Sequence, residues 1–242
     1  MKKLVVLGGG ESGIGAAALA KHNNWDVFVS DAGILTPSAK KEFEAIGVRY
    51  EEGGHTMNEI LKAELVVKSP GIPNTVAVMK SIEAAEISIV SEIEFASNYT
   101  DATLIGITGS NGKTTTAMLT YHLLSDGGID TGLAGNIGNS FAQALLQDKH
   151  DVYVLEISIF QLEHIKKFHP HIAVITNLSP DHLDRYNNSF KDYYATKFKI
   201  TKNQTEEDHL LYEADDENIN AAVAQFNVKA QQHPYNLSLI HI

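Results

Sequence analysis

Gly106-Ile107-Thr108-Gly109-Ser110-Asn111-Gly112-Lys113-Thr114-Thr115 stands between an apolar β-prone run, Thr103 to Thr108, and a helix-prone run, Thr116 to Leu124. A strand, a glycine-rich loop and a helix in that order is how a parallel α/β sheet presents backbone N–H groups to phosphate. The glycines fall three apart, and Ile107 stands where the common phosphate-loop pattern has glycine. The chemistry survives that departure. Gly109 and Gly112 let consecutive N–H groups turn toward a ligand, Lys113 supplies charge to the β- and γ-phosphates, and Thr114 offers a hydroxyl to Mg²⁺. The candidate ATP contacts are therefore Gly109, Ser110, Asn111, Gly112, Lys113, Thr114 and Thr115. A glycine turn with an incidental lysine is the bland alternative, and Gly-Lys-Thr-Thr at a strand-to-helix junction speaks against it.

Outward from this loop, short β-rich runs alternate with helical patterns: Leu4 to Leu7, Trp25 to Ser30, Leu65 to Lys68, Val152 to Ile157 and Ile172 to Thr176. That rhythm predicts βα units on parallel sheets. The polar stretch Ser97-Asn98-Tyr99-Thr100-Asp101 precedes the strand of the phosphate loop and predicts a boundary between a domain at 1–97 and a second at 98–235. The first half opens on its own glycine loop. Gly8-Gly9-Gly10-Glu11-Ser12-Gly13 fits G-x-G-x-x-G, follows Leu4 to Leu7 and precedes the helix-prone Ile14 to Lys21, and Asp31 closes the next strand about twenty residues on. Such a turn admits a pyrophosphate to a helix N-terminus, with the acid placed to bind a sugar or base. The motif leaves open whether the pyrophosphate belongs to a dinucleotide such as NAD or to a nucleotide-sugar, and an empty glycine turn is the bland reading.

Composition narrows the classes. With 242 residues and 43% hydrophobic content the chain can bury one large core or two ordinary ones. It has no cysteine, which excludes disulfides and thiolate metal sites and suits the cytosol. A formal charge of −11 argues against nucleic-acid binding, and no apolar stretch approaches the length of a membrane span.

Three further motifs follow the phosphate loop in order: Gly135-Asn136-Ile137-Gly138, then Glu156-Ile157-Ser158-Ile159-Phe160-Gln161-Leu162, then Asn177-Leu178-Ser179-Pro180-Asp181-His182-Leu183-Asp184-Arg185. Together with Lys113 and its loop these resemble the Mur ligases, the ATP-dependent amino-acid ligases that build the peptide stem of bacterial cell wall. The Rossmann-like start, the Ser69-Pro70-Gly71-Ile72 turn and the Phe160-Gln161-Leu162-Glu163 run are most similar to the D-glutamate-adding branch, with the L-alanine-adding branch as its nearest competitor. Folate-polyglutamylating ligases share the phosphate loop without the Rossmann-like start. One departure is that the family carries two serines before the phenylalanine, where this chain has Ser158 followed by Ile159. Strand alternation would put those two side chains on opposite faces, leaving Ile159 toward the core.

The resemblance implies a fold, a reaction and a set of residues. The fold is α/β, a Rossmann-like parallel-sheet domain followed by a P-loop-type ATP-binding domain that is incomplete. ATP phosphorylates the carboxylate of UDP-N-acetylmuramoyl-L-alanine, and the amine of D-glutamate displaces phosphate, in a monomeric protein. Thr114, Glu156, His182 and Lys197 would hold two Mg²⁺ ions, with Lys197, rather than Lys199, converted to a carbamate. Lys113, Glu156, His182 and Lys197 would be the catalytic set, and Asn177 and Asp181 either further ATP contacts or residues that stabilise the turn they stand in. Asn136, Ser158 and Gln161 would orient the acyl substrate. Ser12, Gly13, Ile14, Asp31, Ala32, Ser69, Pro70 and Gly71 would take the uridine diphosphate, which favours the nucleotide-sugar over NAD. The family has a third, closing domain that this sequence does not match. Residues 236–242 fit no family pattern and are expected to be a non-native tail, and a chain without the closing domain is expected to lack turnover, leaving at most a nucleotide-binding module.

Overall fold

The structure, a computed structural model, describes residues 1–181, 183–186 and 188–236. It divides into two compact units, Met1–Thr100 with Asn139–Asp148, and Asp101–Gly138 with the chain from Lys149 onward.

The first unit carries β1 (Lys3–Leu7), α1 (Glu11–His22), β2 (Asp26–Ser30), α2 (Pro37–Ala45), β3 (Arg49–Glu51), α3 (Met57–Ile60), β4 (Leu65–Lys68), α4 (Ala77–Ala84), β5 (Ser88–Ser91) and α5 (Glu92–Ser97). Its five parallel strands lie in the order β3-β2-β1-β4-β5. The chain therefore winds outward from β1 in one direction and then from β4 in the other. That reversal opens a crevice at the C-terminal ends of β1 and β4, the place where such sheets take ligands. Both faces of β1 are covered, and Leu4, Val5, Val6 and Leu7 are fully buried, as the continuous apolar run of a central parallel strand requires. Asn98, Tyr99 and Thr100 belong to this unit too. Tyr99 accepts a hydrogen bond from Trp25 Nε1 at 2.9 Å and meets Phe95 edge-on.

The second unit carries β6 (Thr103–Thr108), α6 (Lys113–Asp126) and β7 (Thr131–Gly135). After the excursion of α7 (Phe141–Gln147) into the first unit come β8 (Val152–Glu156), α8 (Ile159–Leu162), β9 (Ile172–Ile175), α9 (Phe190–Phe198), β10 (His209–Glu213), α10 (Glu217–Gln225) and β11 (Gln231–Tyr235), with short 3₁₀ turns at Leu183–Tyr186 and Lys199–Thr201. Its strands run parallel in the order β11-β10-β9-β6-β8-β7. The central β6 lies between β8 and β9, so the loop that follows it opens beside the ends of both. Within the expected tail, only Asn236 falls among the described residues.

Segment 139–148 is the part of the fold least expected from sequence. The crossover from β7 to β8 should return a helix onto its own sheet, yet α7 packs on α1 and α5 of the first unit. Gly15 of α1 is needed there, because a Cβ would come 2.0 Å from Ser140 Oγ. The buried Glu92 carboxylate accepts a hydrogen bond from the Ala142 backbone N–H, while its Oε2 has no partner among the described residues. Burial pushes the Glu92 carboxyl up from 4.5 to about 7, against the pull of the Ala142 N–H toward the charged form. With the folded pKa raised, the native state holds this proton longer than the unfolded chain does. The stabilisation is full below about 4.5 and is lost as pH rises through about 7. Glu92→Gln is neutral throughout. Its stability relative to the parent should rise between pH 5 and pH 8 by on the order of 2 kcal/mol in urea unfolding, and parallel pH profiles would remove Glu92 as the source.

Candidate functional site

The glycine loop after β6 is held from one side by the segment that follows β9. Ser110 N–H donates to Asn177 O at 3.0 Å, and Asn111 N–H donates to Asn177 Oδ1 at 2.9 Å. Asn177 Nδ2 and Thr176 Oγ1 both donate to Asn111 O, at 3.0 and 2.6 Å. Ser110 Oγ donates to Ser179 O and accepts from Ser179 N–H, and Tyr193 OH lies 2.8 Å from it. Asn177 is thus a clamp on the loop, while Thr115 is exposed on the first turn of α6. Gly109 sits at φ +145°, and Gly112 caps α6 at φ +79° without any side-chain cap. The first N–H groups of a 14-residue helix are left for an anion.

Two lysines converge on this loop. Lys113 Nζ donates to Gly109 O and Ser110 O, both at 3.0 Å, and Lys197 Nζ donates to the same Gly109 O at 2.8 Å. Lys197 is 2% exposed, with its ammonium 4.9 Å from the Tyr193 ring centroid. Burial pushes the Lys197 amine down from 10.5 to about 7, the Lys113 charge adds to the shift, and the Asp181 carboxylate opposes it. Lys199 is turned elsewhere, to Glu163 O at 2.9 Å.

Glu156 ends β8 next to the loop and is 1% exposed. Its Oε2 accepts from Thr114 Oγ1 and its Oε1 from Asn136 Nδ2, each at 2.7 Å. Asn136 also donates its backbone N–H to Glu156 O at 2.8 Å, which fixes the carboxylate from the β7 side. Hydroxyl and carboxylate oxygens together suit a hard cation such as Mg²⁺, so Thr114 and Glu156 fit the metal expected there. Among the described residues no group of three or more His, Asp or Glu side chains is gathered for a metal. His182 lies outside the described residues.

Ser158 and Ile159 correct one expectation. The strand ends at Glu156, and Ser158 is the N-cap of α8. Gln161 Oε1 accepts from Ser158 N–H at 2.9 Å and from Ser158 Oγ at 3.0 Å, so these two form a capping box. Ile159 begins the helix and is buried with Tyr186 and Tyr193. Its inward placement comes from a helical turn, not from strand alternation.

The first unit holds a cavity of about 370 Å³ at the ends of β1, β2 and β4, lined by Gly8, Asp31, Ala32, His55, Gly71 and Ile72 with the apolar start of α4. Asp31 Oδ2 accepts from Gly9 N–H and Oδ1 from Gly33 N–H, both at 2.7 Å, so this acid shapes the loops around it. Ser69 Oγ donates to Gly8 O at 3.3 Å, and Lys68 Nζ to Ile72 O at 2.6 Å, which ties the Ser69-Pro70-Gly71-Ile72 turn to the wall. Ser12, Gly13 and Ile14 lie on the first turn of α1 and are not part of the lining. Gly13 has a packing role, since a Cβ there would come 2.0 Å from Gly8 O. His55 is a lining residue that no sequence motif marks, because only the fold carries it from the turn after β3 to the cavity.

The chain is similar to known proteins along nearly all of its length. Residues 107–237 match the family model of the Mur ligase middle domain, and residues 3–78 that of the MurD N-terminal domain. It is 50% identical over 236 residues to the UDP-N-acetylmuramoylalanine–D-glutamate ligase of Christiangramia forsetii, covering 98% of this chain and 53% of that protein. The ligase of the same name from Porphyromonas gingivalis ATCC 33277 is 49% identical, over 96% of this chain and 52% of its own length. The chain thus spans about half the length of the curated relatives it matches. Two solved structures share the fold. The murein peptide ligase MPL of Neisseria meningitides has a TM-score of 0.65 at 20% identity, covering 96% of this chain and 78% of the other. MurC of Thermotoga maritima has a TM-score of 0.56 at 23% identity, covering 90% and 50%.

Proposed function

Because the chain belongs to the Mur ligase family, we propose that it is the nucleotide-handling part of an ATP-dependent ligase that joins D-glutamate to UDP-N-acetylmuramoyl-L-alanine in peptidoglycan-precursor synthesis. One observation carries the catalytic half of this reading: Thr114 Oγ1 stands 2.7 Å from the Glu156 carboxylate, on the turn that also brings Lys113 to the phosphate loop. The nucleotide-sugar half is supported by the cavity of the first unit and by the likeness to ligases whose names carry that substrate.

In this reading the substrate carboxylate attacks the γ-phosphorus of ATP, ADP departs, and the amine of D-glutamate then displaces phosphate from the acyl phosphate. Negative charge gathers at one centre in both steps, so positioning and electrostatic stabilisation dominate. Lys113, now curled onto the carbonyls of Gly109 and Ser110, turns to the β- and γ-phosphates when nucleotide fills the loop. Thr114 and Glu156 would hold Mg²⁺, which when bound neutralises phosphate oxygens. Asn136 keeps Glu156 aimed, and the clamp from Asn177 and Ser179 keeps the loop open. His182 and a carbamylated Lys197 would complete a second metal site. The neutral Lys197 amine attacks the carbon of CO₂, one C=O electron pair moves to oxygen, and a proton leaves to give the carbamate. The buried amine held against Gly109 O supports Lys197 over Lys199 for that change.

The test is phosphate release by a polypeptide of the relatives' full length, given ATP, UDP-N-acetylmuramoyl-L-alanine and D-glutamate. Release dependent on both of the latter is expected. Turnover with glutamate and a folate acceptor instead, or NADH binding to the first unit, would replace the assignment.

A further inference from the structure

Ser30, Glu51 and His55 form a hydrogen-bonded relay at the wall of the first-unit cavity. Ser30 and Glu51 are paired in register across β2 and β3. The Ser30 hydroxyl, fully buried, donates to Glu51 Oε1 at 2.6 Å and lies 2.7 Å from His55 Nδ1. Glu51 Oε1 also accepts from Thr56 N–H at 2.8 Å. Burial raises the Glu51 carboxyl, but the hydrogen bonds from Ser30 and Thr56 outweigh it and hold the group below its ordinary value. Glu51 is therefore an ionised, acceptor-only group.

A serine hydroxyl owns one hydrogen, and here Glu51 takes it. The Ser30 oxygen meets His55 with a lone pair, so Nδ1 must be the donor. A neutral imidazole carries a single N–H, which leaves Nε2 as an acceptor. No hydrogen bond to Nε2 is made among the described residues, and His55 lines the cavity beside Asp31 and Gly71. A half-buried carboxylate and a buried hydroxyl behind the ring set which of its nitrogens is left for a ligand.

We propose that His55 is a specificity residue of this cavity, its Nε2 accepting a hydrogen bond from the uridine part of the ligand, with Ser30 and Glu51 as positioning residues that fix its tautomer. The inference rests on the nucleotide-sugar reading above. Uridine offers two kinds of donor, the N3–H of uracil and the ribose hydroxyls. Cytosine presents an acceptor at N3, so an acceptor in the wall discriminates against it.

The experiment titrates the 242-residue chain with UDP, CDP and 2′-deoxy-UDP by calorimetry, alongside His55→Phe, His55→Gln and Ser30→Ala, each confirmed as folded by thermal melting. One lost hydrogen bond should weaken UDP binding about tenfold in His55→Phe, and His55→Gln, which can offer an amide oxygen, should stay within about threefold of the parent. Loss of UDP-over-CDP preference in His55→Phe assigns the bond to N3–H, and loss of UDP-over-deoxy preference assigns it to the ribose. ¹⁵N NMR of the imidazoles should find the His55 proton on Nδ1 in the parent and shifted toward Nε2 in Ser30→Ala, a change that packing alone would not produce. UDP binding by His55→Phe equal to that of the parent, or a parent ring protonated on Nε2, overturns the role of His55 and leaves the cavity assignment standing. Failure of the parent to bind UDP overturns both.

Discussion

Alanine at Gly109 is expected to remove nucleotide binding from the second unit, with Mg·ATP affinity falling at least about a hundredfold. Gly109 sits at φ +145°, which an L side chain rarely adopts, and its Cβ would come 2.0 Å from Thr176 Oγ1 and 3.1 Å from Thr176 N. Thr176 has little room to yield. Its hydroxyl donates to Asn111 O and its backbone N–H to Thr108 O, so moving it releases the loop from β9. Backbone strain of about 1–3 kcal/mol and a broken hydrogen bond of about 1 kcal/mol together reach roughly 3 kcal/mol, enough for that loss. Gly112→Ala is the internal comparison. It also has positive φ, but nothing lies within 4 Å of its added Cβ, so about 1 kcal/mol of strain is the whole cost. Fluorescent-nucleotide titration and thermal melts of both variants decide the matter. A Gly109→Ala protein that binds ATP like its parent would mean that phosphate sits elsewhere.

Lys197→Met should make the protein more stable at neutral pH while removing its capacity to form a carbamate. The Lys197 amine titrates near 7 in the folded chain against 10.5 ordinarily, so the native state surrenders its proton early. The native state is therefore penalised at and below about pH 7, and the penalty is relieved as pH rises toward about 10.5. Methionine has no proton to lose. Its gain should be on the order of 2 kcal/mol at pH 7, after allowance for the lost bond to Gly109 O and the lost contact with Tyr193, and should vanish toward pH 10. Denaturant unfolding at pH 7 and 10 measures this, and ¹³C-bicarbonate NMR should show a carbamate resonance in the parent that the variant lacks. A variant less stable than the parent at pH 7 would show that the bond to Gly109 O and the contact with Tyr193 outweigh the cost of burying the charge.

Much of this was legible before the fold was known, where the local pattern and the tertiary demand coincide. Strands with both faces buried, such as Leu4 to Leu7 and Thr103 to Thr108, announce themselves as unbroken apolar runs, and the loops after them are forced by glycine geometry. β3 and β11 left no such trace. Arg49-Tyr50-Glu51 and Gln231-Gln232-His233-Pro234-Tyr235 are edge strands, polar and exposed or half-buried, and are held chiefly by backbone pairing to one neighbour. Both helices after the glycine loops begin earlier than their apolar pattern, at Glu11 and Lys113, because the capping glycine and not the first apolar residue sets the start. The site residues divide in the same way. Thr114, on the first turn of α6, and Glu156, at the end of β8, meet as the strand order demands, whereas Ser158 is bonded to Gln161 of its own turn and Asp31 to the backbone of Gly9 and Gly33. His55 could not be found from spacing at all, since it lies in the turn after β3 while its partner Ser30 ends β2.

The detour of α7 has a practical corollary for anyone dissecting this protein. The polypeptide passes from one unit to the other at residues 100/101, 138/139 and 148/149, so no single scission yields two self-sufficient pieces. A gene fragment ending at Thr100 would strip α1 and α5 of the helix that covers them and hydrate the Glu92 carboxylate. One beginning at Asp101 would instead carry Phe141, Ala142 and Leu145 as a greasy, homeless loop. Clean halves would require grafting 139–148 onto the first piece and bridging 138 to 149 with a short turn in the second.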